Sequence, residues 1–272
     1  MQDSTIIPNA MNEADFDELL FNRPVSNLNR RKIGILACRH ASLRSISAAY
    51  SILMALGHNV LLVADIGHQK NQLPADIWLS SKNKSYYENS DVAIEALADC
   101  NVIINIVEGE LNSTMELFIA RLFDSYAGLY VSDYAKIFKN HNYRGNKIIF
   151  SSLQKLADAN HLTTKLIGIT QVSKLLTQVA GDLSASVVVT NRNQLIALEA
   201  QSTGTVCIVN TKNNILLIDF MAIFVGLLVD AADTKPDSWL KYCQAAGFIY
   251  RNHYSESKNG SADLKSYLNG KF

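Results

Sequence analysis

Lys32-Ile-Gly-Ile-Leu-Ala-Cys38, the segment from Ser45 to Leu56, and Asn59-Val-Leu-Leu-Val-Ala64 together decide the fold. The first and third pieces are unbroken apolar runs of strand length, which suits strands covered on both faces. Between them Ile46, Ala49, Ile52, Leu53 and Leu56 recur at helical spacing, and Gly57 ends the helix. Strand, helix and strand in that order predict a parallel pair joined by a right-handed crossover.

Working outward, the alternation continues with a helix over Asp91 to Ala98, a strand over Asn101 to Val107 and a helix over Ser113 to Phe123. Strands follow at Gly128 to Val131 and Lys147 to Phe150. This is the pattern of an α/β protein with a doubly wound, mostly parallel sheet and helices on both faces. The last third differs. Ser186 to Thr190, Gln194 to Glu199 and Val206 to Asn210 are short apolar runs with no room for helices between them, so they predict a C-terminal antiparallel meander. An apolar helix over Asp219 to Ala232, a Lys-Pro-Asp turn at 235 to 237 and a helix over Ser238 to Arg251 complete the body. The expected organisation is an N-terminal extension, 1–31, packing on the body through a short amphipathic helix at Glu13 to Phe21. A single domain over 32–254 and a flexible C-terminal tail over 255–272 follow.

Composition narrows the function classes. Lys plus Arg and Asp plus Glu are both 25, so no net field draws the chain to nucleic acid or to an anionic membrane. Cys38, Cys100, Cys207 and Cys243 form no CxxC pair, and no His stands at zinc-ligand spacing, so free, mostly buried thiols in a reducing compartment are expected rather than a zinc site. The first twenty residues hold five acids and no Lys or Arg, unlike a secretory signal, and a cytoplasmic location is expected. Ile215 to Val229 is about 15 residues long with Asp219 inside it, short of the roughly 20 needed to span a bilayer.

No GxGxxG, GxxxxGK[ST], GxSxG or HExxH is present. The turn after the first strand of the opening unit is Arg39-His-Ala-Ser-Leu-Arg44, with cations where a phosphate loop would carry glycines. Arg39, Ser42 and Arg44 at a strand end and helix start could hold a phosphate, or could be a solvated loop. Glu108-Gly-Glu110 and Asp133 follow two further strands, at the edge where open α/β sheets place ligands. Those carboxylates could bind magnesium or do acid/base work, and Glu110 could equally cap the next helix. Asp219 interrupts the most apolar segment, where a carboxylate is costly unless it caps the helix or faces a polar cleft.

The order of these elements resembles the ADP/ATP-dependent NAD(P)H-hydrate dehydratases, ribokinase-like enzymes that repair hydrated nicotinamide nucleotides. The resemblance runs from about residue 19 to residue 252. It rests on Leu20-Phe-Asn-Arg-Pro-Val-Ser26 leading into Lys32-Ile-Gly-Ile-Leu-Ala37, and on Ser47-Ala-Ala-Tyr-Ser-Ile-Leu-Met-Ala-Leu-Gly57 with Val60-Leu-Leu-Val63. Asp99-Cys-Asn-Val-Ile-Ile-Asn105 with Glu108-Gly-Glu110 falls on the family's strand and Gly-Pro-Gly loop. Leu129-Tyr-Val-Ser-Asp-Tyr-Ala135 is similar to its strand ending in Asp-Ala-Asp-Ala, and Leu217-Ile-Asp219 falls on its Gly-Thr-Gly-Asp.

The resemblance implies Asp219 as the catalytic base or acid and Asp133 as a substrate-side acid, with Glu108 and Glu110 beside the substrate. Arg39, Ser42, Arg44 and the Asn191-Arg192 turn would serve ADP or ATP, with magnesium. It also implies a homo-oligomer. The departures from the pattern are Leu216, Leu217 and Ile218 in place of anion-hole glycines, and Lys155 in place of the glutamate of Thr-Pro-His-x-Gly-Glu. Bulky side chains there hinder the close backbone approach that an anion needs. Three readings follow: a divergent dehydratase-like enzyme, a non-catalytic oligomer or partner subunit that keeps the fold, and an unrelated doubly wound small-molecule kinase or sugar-phosphate enzyme.

Overall fold

The computed structural model describes residues 5–8, 11–21, 31–65, 73–83, 86–159, 169–191, 195–199, 205–210, 216–229, 236–253 and 260–269. The chain opens with β1 (Thr5–Pro8) and α1 (Glu13–Phe21), then β2 (Lys32–Ala37), α2 (Leu43–Ala55), β3 (Asn59–Asp65), β4 (Ile77–Asn83) and β5 (Tyr86–Glu88). It continues through α3 (Ser90–Ala98), β6 (Val102–Ile106), α4 (Ser113–Ser125), β7 (Leu129–Ser132), α5 (Lys136–Asn140), β8 (Lys147–Ser152) and α6 (Leu153–Ala159). The last elements are α7 (Ile169–Leu183), β9 (Ser186–Asn191), β10 (Leu195–Glu199), β11 (Thr205–Asn210), α8 (Leu217–Val229), α9 (Pro236–Asn252) and α10 (Gly260–Asn269). Two compact units result, one of residues 30–149 and one of residues 1–29 with 150–272.

In the unit of residues 30–149, β2 pairs in parallel with β3 on one side and β6 on the other, and β7 pairs in parallel with β6. The buried runs of β2, β3 and β6 explain this, because strands with both faces apolar must be covered on both faces. From β2 the chain moves through α2 to β3, and from β6 through α4 to β7 on the opposite side. Right-handed crossovers in opposite directions place α2 and α4 on opposite faces of the sheet. The carboxyl ends of β2 and β6 are therefore a topological switch point, where such sheets open a ligand crevice. Gly34 in β2 gives α3 its place: a Cβ there would lie 2.7 Å from Leu97 Cδ2. β4 joins β3 in parallel and β5 returns antiparallel.

In the other unit, β9, β10 and β11 form the expected antiparallel meander, with β10 central, and β1 adds to β11 in parallel. α8 is apolar on every face, and Ile218 to Leu228 are all buried, as a helix without a polar face requires. α9 begins at Pro236, where the sequence pointed to a turn. A proline at the first helical position loses an N–H that would lack a partner in any case. The N-terminal helix α1 packs through Phe16, which is fully buried and stacked 5.1 Å from Phe248. Residues 260–269, in the segment read from sequence as a mobile tail, form α10, with Leu264 fully buried. Among the described residues no helix is long and apolar enough to cross a membrane.

Candidate functional site

At the carboxyl end of β2 the chain turns through Cys38 to Ser42, and the Ala41 N–H closes the turn on the Cys38 carbonyl at 3.0 Å. Ser42 is the N-cap of α2: its Oγ accepts the Ser45 N–H at 3.2 Å and donates to Ser45 Oγ at 2.8 Å. Serine is a preferred residue here because its oxygen serves an N–H that has no partner in the first turn. Arg39 and Arg44 of the same turn are exposed.

The helix end is already occupied by an anion from the chain itself. Glu108, two residues past β6, places Oε2 2.5 Å from the Ser42 N and Oε1 2.5 Å from Ser45 Oγ, so that both groups donate to one carboxylate. A carboxylate suits this spot because N–H groups and the helix dipole favour negative charge there. Glu108 reaches it from a backbone at φ 48°, the left-handed region that favours glycine. Gly109 then abuts the neighbouring turn, where a Cβ would lie 3.1 Å from His40 Cβ.

Asp133, directly after β7, holds the same loop from the other side. Its Oδ1 accepts the Val107 N–H at 2.7 Å and its Oδ2 the Glu108 N–H at 2.9 Å. The structure thus brings Ser42, Glu108 and Asp133 into one network, while Glu110 is exposed. Across the switch point, the loops after β2 and β6 are tied together by side chains.

Beneath this edge lies a buried polar group that sequence reasoning passed over. The Cys38 thiol donates to Asn105 Oδ1 at 3.1 Å, and burial, followed by the nearby Asp133 and Asp65 carboxylates, holds that thiol well above its usual range. Such a thiol stays protonated and is not a nucleophile. Asp65, the buried last residue of β3, accepts the Tyr87 hydroxyl at 2.8 Å, and burial raises the Tyr87 phenol above its ordinary value. The signal for Asp65 was present, since an acid at the end of a buried strand is the pattern that singled out Asp133. Among the described residues no group of three or more His, Cys, Asp or Glu could hold a metal ion.

Asp219 belongs to the other unit. It is fully buried, and it is the third residue of α8, because Leu217 and Ile218 are already helical. The Leu216 carbonyl accepts the first helical bond, from the Phe220 N–H at 3.0 Å, so the cap position falls on Leu216 rather than on Asp219. The Leu216 N–H donates to the Tyr250 hydroxyl at 2.9 Å. At the start of α8, then, a phenol from α9 takes a backbone donor. Asn191 ends β9, and Arg192 lies outside the described residues.

No family model and no curated protein matches the sequence. Solved structures do match. A ribokinase-like superfamily protein from Enterococcus faecalis aligns with a TM-score of 0.69 at 11% identity, over 98% of this chain and 96% of that one. An ADP/ATP-dependent NAD(P)H-hydrate dehydratase from Bacillus subtilis, co-crystallised with ATP and magnesium, aligns at 0.58 and 10% identity, over 96% and 98%. Arabidopsis thaliana ribokinase, complexed with ribose and ATP, aligns at 0.56 and 11% identity, over 89% and 98%. The likeness establishes a ribokinase-like α/β fold.

Proposed function

We propose, taking the ribokinase-like fold as premise, that this chain is a divergent relative of the NAD(P)H-hydrate dehydratases that has given up their nucleotide-dependent lyase chemistry and works as a non-catalytic oligomer or partner subunit. The observation that carries this reading is the carboxylate of Glu108 seated on the Ser42 N–H and Ser45 hydroxyl. A nucleotide phosphate entering there would have to displace a bonded anion and approach Glu110 as well. At α8 the Leu216 N–H is taken by Tyr250, and the side chains of Leu216, Leu217 and Ile218 stand where close backbone approach would be needed. Asp219, the expected base, is buried in the first turn of that helix. Exposed Val92 and Leu117 on α3 and α4 supply apolar surface for a second copy of the chain.

The test is a thermal-shift titration of the full chain with ATP, ADP, NADH and NADPH, with and without magnesium, beside an assay of ADP- or ATP-dependent dehydration of hydrated NADH. A ligand at about 100 times its Kd would add about 2.7 kcal/mol, or roughly 5–11 °C. The expected result is no saturable shift and no turnover, with a mass in solution above that of one chain that falls in Val92→Lys and Leu117→Lys. Turnover abolished by Asp219→Asn would overturn the proposal and restore the enzyme. A saturable shift without turnover would keep the non-catalytic role and make the nucleotide its ligand.

A further inference from the structure

The two carboxylate contacts at residues 107 and 108 run in series. Asp133 accepts the Val107 and Glu108 N–H groups, and the Glu108 side chain in turn accepts the Ser42 N–H and the Ser45 hydroxyl. Through these contacts Asp133 reaches the start of α2 by way of residue 108. The residue that joins them holds a left-handed backbone, a conformation that persists in a non-glycine residue only where the surroundings over-determine it.

Asp133 fixes the backbone from which the Glu108 side chain departs, and the Ser42 N–H and Ser45 hydroxyl fix where that side chain ends. Gly109 packed on His40 leaves the loop little room to settle elsewhere. We infer that the loop after β6 is a latch through which Asp133, at the end of β7, controls the N-terminal turn of α2. The latch is a property of the ligand-free chain, so it goes beyond the proposed function and stands whether or not a nucleotide binds. It ties three consecutive carboxyl-edge loops, those after β2, β6 and β7, into one cooperative unit. Separating those loops then requires release of both carboxylates together.

Amide hydrogen exchange of the ligand-free, full-length chain tests it. Asp133→Asn should speed exchange at Val107 and Glu108, whose N–H groups Asp133 accepts, and also at Ser42, whose N–H Glu108 accepts, by roughly threefold or more; couplings within one hydrogen-bond network reach that size. Ile35, in the core of β2, serves as the reference for global opening and should be unchanged. Ser42 unaltered while Val107 and Glu108 accelerate would overturn the latch, as would equal acceleration of all four. Should Asp133→Asn fail to fold, Glu108→Gln reads the same coupling from the other end. Coupling free energies are reciprocal, so the Val107 amide must then accelerate, and its constancy would overturn the inference.

Discussion

Two helix starts in this molecule solve one problem with different chemistry. At α2 the Ser42 N–H and the Ser45 hydroxyl meet a carboxylate, Glu108, at an exposed edge. At α8 the Leu216 N–H meets a neutral phenol, Tyr250, inside a helix pair where nearly every side chain is buried. Near water an ion keeps most of its hydration and gains from the helix dipole. In a buried first turn an ion, such as Asp219, must be bonded or it would cost several kcal/mol, whereas a hydroxyl takes a backbone donor without that penalty. Both starts are thus filled from within the chain, by groups that differ in charge and in exposure.

The contrast breaks most visibly at the apolar side of α8. Phe220 is fully buried and lies against Phe150, Phe224 and Tyr250. Phe220→Ala should cost about 3–5 kcal/mol by urea denaturation. A loss below about 1 kcal/mol would mean that α8 is not the packed core of its unit.

At α2 the effect should be smaller and electrostatic. Glu108→Ala removes two bonds to a charged acceptor and should cost about 1.5–3 kcal/mol, less at high salt. Glu108→Gly loses the same bonds but relieves the left-handed backbone, worth about 1 kcal/mol, so it should be the more stable of the two. Equal losses would mean that the φ of 48° stores no strain. Tyr250→Phe, by contrast, removes the acceptor of the Leu216 N–H and should cost about 1 kcal/mol, little changed by salt because Tyr250 is buried. A salt-dependent loss there would erase the distinction between the two starts.

Sequence reasoning reached the sheet because its strands are continuous apolar runs bounded by helices of clear periodicity, and the meander because its short apolar runs leave no room for helices between them. It missed β5, three residues long, and β4, whose Ile77-Trp-Leu-Ser-Ser-Lys-Asn83 runs from apolar to polar with neither a continuous apolar run nor a strict alternation. It also passed over α7, although Val172, Leu175, Leu176, Val179 and Leu183 mark a helical face. Within the site, Glu108 and Asp133 were singled out by position alone. That their carboxylates would be spent on Ser42 and on residues 107–108 was beyond reach, because those partners lie 66 and about 25 residues away in the chain. Cys38 and Asn105 were hidden for the same reason: each reads as part of an apolar strand, and only the register of β2 on β6 sets thiol against amide.

The amino end of β2 supplies the sharpest control on the carboxyl end, since an acid bonds to the chain there without a helix start beneath it. Lys32 Nζ lies 2.9 Å from Asp99 Oδ2, with 78% of the Asp99 side chain exposed. The hydrogen bond from Lys32 holds the Asp99 carboxyl below its usual range, and the bond to Asp99 holds the Lys32 ammonium above its own. A depressed carboxyl stabilises above its unfolded value, near 3.9, and loses that as pH falls through the lower folded value. A raised ammonium stabilises below its unfolded value, near 10.4, and loses that as pH rises through the higher folded one. Asp99→Asn should therefore flatten both limbs of the stability curve by a small amount that disappears in high salt, because exposed pairs are screened. The measurement is the urea midpoint across pH in low and high salt. If Asp99→Asn costs as much as Glu108→Ala, any exposed acid in a bond would do as well. The helix start would then contribute nothing particular at α2, and the case for Glu108 as its resident anion would fail.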